Sequence, residues 1–314
     1  MRLCRFIPLM LLMLLSLTSC SVGKLVCDLA LKPTINLMSF NDSRKLAEDR
    51  YPGIVDWYDS LCTSGVFQDT VIVGETGVDI HAVYAGVEDA DGIAIVIHGY
   101  GSNHIGMIHM ARMYRDSLNF NVLLPDLQYH GSSGGVVRMG WYDRLDIKRW
   151  MAVANSIWDS DFMLVHGVSM GAATTMMVSG EPDLPQNVRC FIEDCGYTSV
   201  WDQYDNLRRE RSHIRIGALN KASEYCEKTY GWNFKEASSL DQLAKCDRPM
   251  LFIHGNPDNF VSVDFVYRCY AAKTHGYKEI WVEPNTPEHA LMFMKHTDEY
   301  VSRVRHFIDT VRAL

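Results

Sequence analysis

The stretch Phe162-Met163-Leu164-Val165-His166-Gly167-Val168-Ser169-Met170-Gly171-Ala172-Ala173-Thr174-Thr175-Met176-Met177-Val178-Ser179 decides how the chain is read. A short apolar run enters Gly-x-Ser-x-Gly and leaves it in helix-prone composition, which predicts strand, sharp turn and helix. So tight a turn holds its central residue in a strained backbone conformation, and Gly167 and Gly171 let strand and helix approach closely. Ser169 then stands at the strand's end and at a helix N-terminus, where free N–H groups and the helix dipole favour a negatively charged oxygen. Short glycine patterns also arise by chance, so the rest of the chain has to carry the argument.

Working outward, Ile93-Ala94-Ile95-Val96-Ile97 is a continuous apolar run, the pattern of a strand buried on both faces, and it ends in His98-Gly99-Tyr100-Gly101-Ser102-Asn103. Before it, Asp69 to Val73 and Val78 to Tyr84 alternate apolar and polar residues around Gly74 to Gly77, as two antiparallel strands do. After it come a Met-rich helix to about Leu118, a strand from Asn121 to Leu124 and a helix from Trp141 to Trp158. Downstream of the serine, a strand is expected from Val188 to Asp194. Regularity breaks between Thr198 and about Lys245, where Trp201, Tyr204, Arg208, Arg209, Arg211, Arg215, Trp232 and Phe234 fall in helix-prone sequence. Alternation resumes with strand Pro249 to His254, helix Ser262 to His275, strand Tyr277 to Pro284 and a closing helix from about Leu291. Strand and helix in turn, with no repeat or low-complexity linker, predict one mostly parallel, doubly wound sheet carrying the irregular part as a lid.

The net charge of −8 and the absence of a basic block exclude a nucleic-acid binder built on phosphate neutralisation. The N-terminus has another character. Met1-Arg2-Leu3-Cys4-Arg5, the apolar run Phe6 to Leu17 and Thr18-Ser19-Cys20 form a charged region, an apolar region and a small-residue cleavage site. The run is short for a membrane span, so export with cleavage is expected. Leu17-Thr18-Ser19-Cys20 resembles the bacterial lipobox, which implies a lipidated Cys20, an enzyme tethered to a membrane through that lipid alone, and Ser21 to about Lys32 as the tether. A soluble secreted protein is the alternative. Cys27, Cys62, Cys190, Cys195, Cys226, Cys246 and Cys269 would remain, an odd number with no Cys-x-x-Cys and no zinc spacing, so no metal or other cofactor is expected. Val22 to about Leu61 reads as an amphipathic arm, with Asn41-Asp42-Ser43 capping a helix from Arg44 and Pro52-Gly53 interrupting it.

A serine hydroxyl is a poor nucleophile unless a base removes its proton and a carboxylate holds that base in the right tautomer. In doubly wound sheets such groups gather at the carboxyl ends of strands. Leu251-Phe252-Ile253-His254-Gly255-Asn256-Pro257-Asp258 puts Asp258 after one late strand, and Trp281 to His289 puts His289 after the next. Asp194, at the end of an earlier strand, competes with Asp258 for the acid role.

In the order Ser169, Asp258, His289 the chain resembles the α/β-hydrolase superfamily from about Asp69 to Leu314, in particular its bacterial serine esterases and aminopeptidase-like or prolyl-oligopeptidase-like members. The motifs are His98-Gly99-Tyr100-Gly101-Ser102, Pro125 to Ser133, Gly167 to Gly171, Ile192 to Ser199 and Ile253 to Asp258. The resemblance implies an α/β fold with a sheet of about eight strands and a helical lid. It implies Ser169 as nucleophile, His289 as base, Asp258 as orienting acid, and the backbone N–H groups of Tyr100 and Met170 as oxyanion hole. The organisation expected is a leader over 1–20, a helical arm over 21–61 and a hydrolase domain over 62–314 with the lid at 198–245. Asn259 and Phe260 replace residues that are often polar, which bears on substrate preference. His98, His254, His166, His130 and Asp126 read as structural groups around the site, and the arginines of the insertion as a solvated helix face.

Three readings follow: a serine hydrolase of small carboxylic esters, a serine peptidase of the same fold acting on short peptides, and a binding protein on an inactive hydrolase fold. Fold does not choose a substrate, and no residue in the sequence names one or fixes the oligomeric state.

Overall fold

A computed structural model describes residues 22–33, 37–210 and 215–314. Cys20, the proposed lipidation site, and Arg211 lie outside the described residues. The first helix, α1, covers residues 22–31. The helices α2 (Phe40–Arg50) and α3 (Ile54–Thr63) follow, parted at Pro52-Gly53 where Gly53 takes a φ of 81°. The cap of α2 is Ser39, whose hydroxyl accepts the N–H of Asp42, so the helix begins four residues before the expected Arg44. Residues 22–31 are not a tether, contrary to the expectation: Gly23, Cys27 and Leu31 pack inward, and a β-carbon on Gly23 would lie 2.5 Å from the Lys221 carbonyl oxygen.

The sheet has eight strands in the order β1 (Phe67–Val73), β2 (Asp79–Ala85), β4 (Phe120–Pro125), β3 (Gly92–Ile97), β5 (Met163–Val168), β6 (Val188–Asp194), β7 (Met250–Asn256) and β8 (Lys278–Pro284). The strands β1, β2 and β4 pair antiparallel and the remainder parallel, so every strand from β3 to β8 points its carboxyl end to the same edge. Full burial of β3 follows from its position: Ile93, Ile95 and Ile97 join the core on one face, Ala94 and Val96 the core on the other.

The Met-rich segment after β3 is not one helix. It is a tight 3-10 turn over His104–Met107, the short α4 (Ile108–Arg112) and a wider π-type turn over Met113–Ser117. The helices α5 (Asp143–Ile157) and α6 (Met170–Ser179) pack on each other, and α6 is buried along its whole length. The irregular region holds α7 (Val200–Glu210), α8 (Ile216–Tyr230) and α9 (Ser239–Leu243). Its ends are pinned by the Ser199–Ser238 bridge and by Thr198, whose carbonyl accepts the N–H of Ser239. Because Ser238 caps α9 and that helix packs on α6 and on α10 (Asp264–Ala272), α9 belongs to the layer over the sheet and the insertion proper ends at Ser238. The closing helix is broken at His296 into α11 (Met292–Lys295) and α12 (Thr297–Ala313).

Candidate active site

Ser169 sits between β5 and α6 with φ 59° and ψ −116°, a conformation sparsely populated by residues other than glycine. The two glycines of the motif are there because nothing larger fits: a β-carbon on Gly171 would lie 2.2 Å from the carbonyl oxygen of Ile97. The serine N–H donates to the carbonyl of Asp194 at 2.8 Å, and its side chain turns to the open end of the sheet. The loop after β3 lies against it, since a β-carbon on Gly99 would stand 3.2 Å from that of Ser169.

The structure brings the three expected side chains together. Nε2 of His289 is 2.7 Å from Ser169 Oγ, and Nδ1 is 2.6 Å from Asp258 Oδ2. Asp258 also accepts the N–H groups of Phe260 at 2.8 Å and Val261 at 3.0 Å on its other oxygen, and His254 Nε2 lies 3.3 Å from Oδ2. Burial alone would raise the Asp258 pKa, but the hydrogen bonds of His254 and His289 outweigh it and hold the group well below the usual carboxylate range. An ionised Asp258 only accepts, so Nδ1 of His289 carries the hydrogen and Nε2 faces the Ser169 hydroxyl as an acceptor. The Phe260 ring tilts over His289 with centroids 5.1 Å apart, so the departure noted at Phe260 touches the expected base.

Asp194 is elsewhere engaged. Its Oδ2 accepts the hydroxyl of Tyr300 at 2.9 Å, and burial pushes its pKa up to about 6, a shift that the Tyr300 hydrogen bond reduces. With its single hydrogen given to Asp194, Tyr300 accepts from His166 Nε2 at 2.9 Å, and His166 Nδ1 accepts from Tyr114 at 2.7 Å. Burial lowers the His166 pKa to about 3, so the ring stays neutral. Tyr114 and Tyr300 were not anticipated, because each lies in an ordinary helical context and gains meaning only from the other.

The remaining histidines hold loops. His98 Nε2 accepts from Leu127 N–H and His130 Nε2 from Gly101 N–H, each at 3.0 Å, which braces the segment carrying Tyr100. Asp126 accepts from the backbone of His104 and Ser132 and from the rings of His81 and His104. Ligand atoms of His81, His104 and Asp126 lie within 4.8 Å of one another, as a metal site would require. Both ring nitrogens of His81 are already engaged by carboxylates, Nδ1 at 3.0 Å from Asp126 and Nε2 at 2.8 Å from Asp69; burial lowers its pKa, but these hydrogen bonds outweigh it and raise it, so the cluster reads as a hydrogen-bonded brace. Cys195, Asp258 and His289 form the second such group, and there burial keeps the Cys195 thiol protonated.

Two cavities meet at Ser169. One, of about 170 Å³, is walled by Leu29 and Ala30 of α1, Met139, Tyr204 and Leu207 of the insertion side, and Val261. The other, of about 210 Å³, lies toward α2 and α4 and includes Arg50, Tyr51, His109 and Phe293. Tyr100 and Phe260 line both. The wall made by α1 was not legible as such, since residues 22–31 read only as part of an arm.

No protein-family model matches the chain. It is 27% identical over 246 residues to the uncharacterized protein YqkD of Bacillus subtilis (strain 168), a span of 77% of this chain and 79% of the relative. The esterase Pf2001 of Pyrococcus furiosus superposes with a TM-score of 0.62 at 21% identity, covering 78% of this chain and 90% of that one. The alpha/beta hydrolase GrgF of Penicillium sp. sh18 superposes with a TM-score of 0.59 at 10% identity, covering 79% and 99%. With eight strands in this order, a glycine-flanked serine at the turn after β5 and these structural neighbours, the chain has the α/β-hydrolase fold.

Proposed function

We propose that the protein is a serine hydrolase of carboxylic esters. The observation that carries this reading is the unbroken hydrogen-bonded line from Ser169 Oγ through His289 to Asp258, at 2.7 and 2.6 Å, with the serine held in a strained turn at the head of α6. His289 Nε2 takes the Ser169 proton as Oγ bonds to the ester carbon, and the carbonyl oxygen becomes an oxyanion. The N–H groups of Tyr100 and Met170 are proposed to receive that oxyanion. Collapse breaks the bond to the alcohol oxygen, which leaves with the proton from His289. Water then bonds to the acyl carbon, giving its proton to His289, and Ser169 departs with that proton, leaving a carboxylic acid. Asp258 keeps the ring oriented and stabilises its transient positive charge.

Of the two cavities at Ser169, the one toward α2 includes Arg50, but the one of about 170 Å³ has no charged side chain among the described residues lining it and is mostly apolar, which suits the acyl group of an ester. A peptide's charged terminus would lose its hydration there without gaining a partner. For the N-terminus the reading remains a lipoprotein, anchored through Cys20 and facing an extracytoplasmic space.

Labelling with a fluorophosphonate, followed by a panel of p-nitrophenyl esters and aminoacyl amides, tests the assignment. Labelling at Ser169 with ester turnover is expected. Absence of both in folded protein would leave a binding role, and preference for the amides would point to the peptidase.

A further inference from the structure

The helix α1 has three edges of different character. One, through Gly23, Cys27 and Leu31, is buried: Gly23 meets the backbone of Lys221 on α8, and the Cys27 thiol neighbours that of Cys226 on the same helix. A second carries the ion pair of Lys24 and Asp28. The third is apolar and, among the described residues, uncovered, with Val22 40%, Leu25 60% and Leu29 63% exposed at positions i, i+3 and i+7. Scattered exposed leucines need no explanation, but a stripe along one helix edge does. Its inner end forms a cavity rim. Leu29 and Ala30, with Tyr204 and Leu207, wall both the chamber at Ser169 and a second, mostly apolar cavity of about 220 Å³ that also reaches Val26 and Phe234 and has Arg208, paired with Asp205, in its lining.

The chain that precedes this helix indicates what covers the stripe. Only Ser21 separates Val22 from Cys20, and the apolar run Phe6 to Leu17 ends just before. A residue spans at most about 3.6 Å, so α1 starts within about 10 Å of an anchor at Cys20. The net charge of −8 leaves apolar contact, rather than attraction to anionic headgroups, to hold the surface down.

We propose that the outer edge of α1 rests on a lipid bilayer and that the substrates are long-chain acyl esters of membrane lipids, whose acyl chain leaves the bilayer past Leu29 and fills the two apolar cavities up to Ser169. This rests on the serine-esterase reading and on the anchor at Cys20. The bonds made and broken are those already given, with the lipid's alcohol part as leaving group and water as second substrate.

The test compares full-length wild type with Val22→Ser/Leu25→Ser, two side chains that do not line either cavity, each reconstituted at equal density in vesicles of ether-linked phosphatidylcholine, which has no acyl ester of its own. Two substrates are followed, water-soluble p-nitrophenyl acetate and dioleoylglycerol placed in the same vesicles. The variant should turn over the soluble ester within about twofold of wild type and the bilayer ester at least about tenfold more slowly. Equal loss on both substrates is resolved by Leu25→Gln alone, whose exposed side chain contributes little packing; selective loss there supports the proposal, and none overturns it. A wild type that cleaves the acetate but not dioleoylglycerol, or a variant equal to wild type on both, overturns the lipid inference and leaves the esterase intact. A wild type inert on both substrates and to fluorophosphonate fails at the earlier reading.

Discussion

A β-carbon on Gly167 would lie 2.0 Å from the carbonyl oxygen of Gly171, across the turn that raises Ser169. Real β-carbons do not approach backbone oxygen so closely, so strand and helix would have to part. Gly167→Ala should therefore destabilise by about 3 kcal/mol or more and, in whatever folds, lower kcat/KM at least about a hundredfold through displacement of the serine. Thermal melting and ester kinetics on the same sample check both halves. A variant with wild-type melting and turnover would contradict the close packing at this turn.

Strain at Ser169 gives a second expectation. A serine at φ 59° and ψ −116° costs about 1–3 kcal/mol that glycine does not incur. Ser169→Gly should lose at least about a thousandfold in kcat and yet melt higher than wild type, by about 3 °C. Calorimetry decides it, and a lower melting temperature would show that the conformation is not strained in this protein.

The acid role is divided between two aspartates by their partners. Asp258 faces His289 at 2.6 Å, whereas Asp194 faces Tyr300 at 2.9 Å. Asp258→Asn should cost on the order of ten-thousandfold in kcat by favouring the wrong His289 tautomer, with the melting temperature little changed. Asp194→Asn should stay within about tenfold in kcat. Reversal of that order in steady-state kinetics would move the acid to β6.

Glu193 supplies a pH dependence. One of its oxygens accepts the Gly196 N–H at 2.9 Å, the other has no partner, and burial pushes its pKa from 4.5 up to about 8. A carboxyl raised on folding contributes stability that is whole below its unfolded pKa and is lost as pH rises through the folded one. The loss should therefore run from about 4.5 to about 8. Glu193→Gln removes this titration, so the melting temperature of the variant relative to wild type should climb across that window. A difference that stays constant with pH would mean that Glu193 ionises in the folded protein as it does in the unfolded chain.

What could be read in advance follows from how local the signals are. The β3 run and the turn at Ser169 announce themselves within a few residues, and strand ends are where Asp258 and His289 had to be sought, so their meeting was legible from order and spacing. The link of Tyr114 to Tyr300 through His166 was not, because no neighbour in sequence marks either tyrosine. Residues 22–31 were misjudged for a different reason. The segment is apolar on two edges, and periodicity alone does not say that one edge meets α8 while the other borders a cavity. The limit of the insertion at Ser238 depended on the Ser199–Ser238 bridge, a pairing across residues of no regular pattern.

The chamber at Ser169 takes Leu29 and Ala30 from the first described helix, while His289 and the Tyr300 beneath Asp194 come from the last stretch of the chain. Synthesis runs from one to the other. A growing polypeptide thus holds Ser169 and most of its sheet before it holds His289, and the buried Asp194 lacks the Tyr300 hydroxyl until α12 has emerged. On the serine-hydrolase reading, a chain made only as far as β6 holds Ser169 without Asp258 or His289 and should be chemically silent.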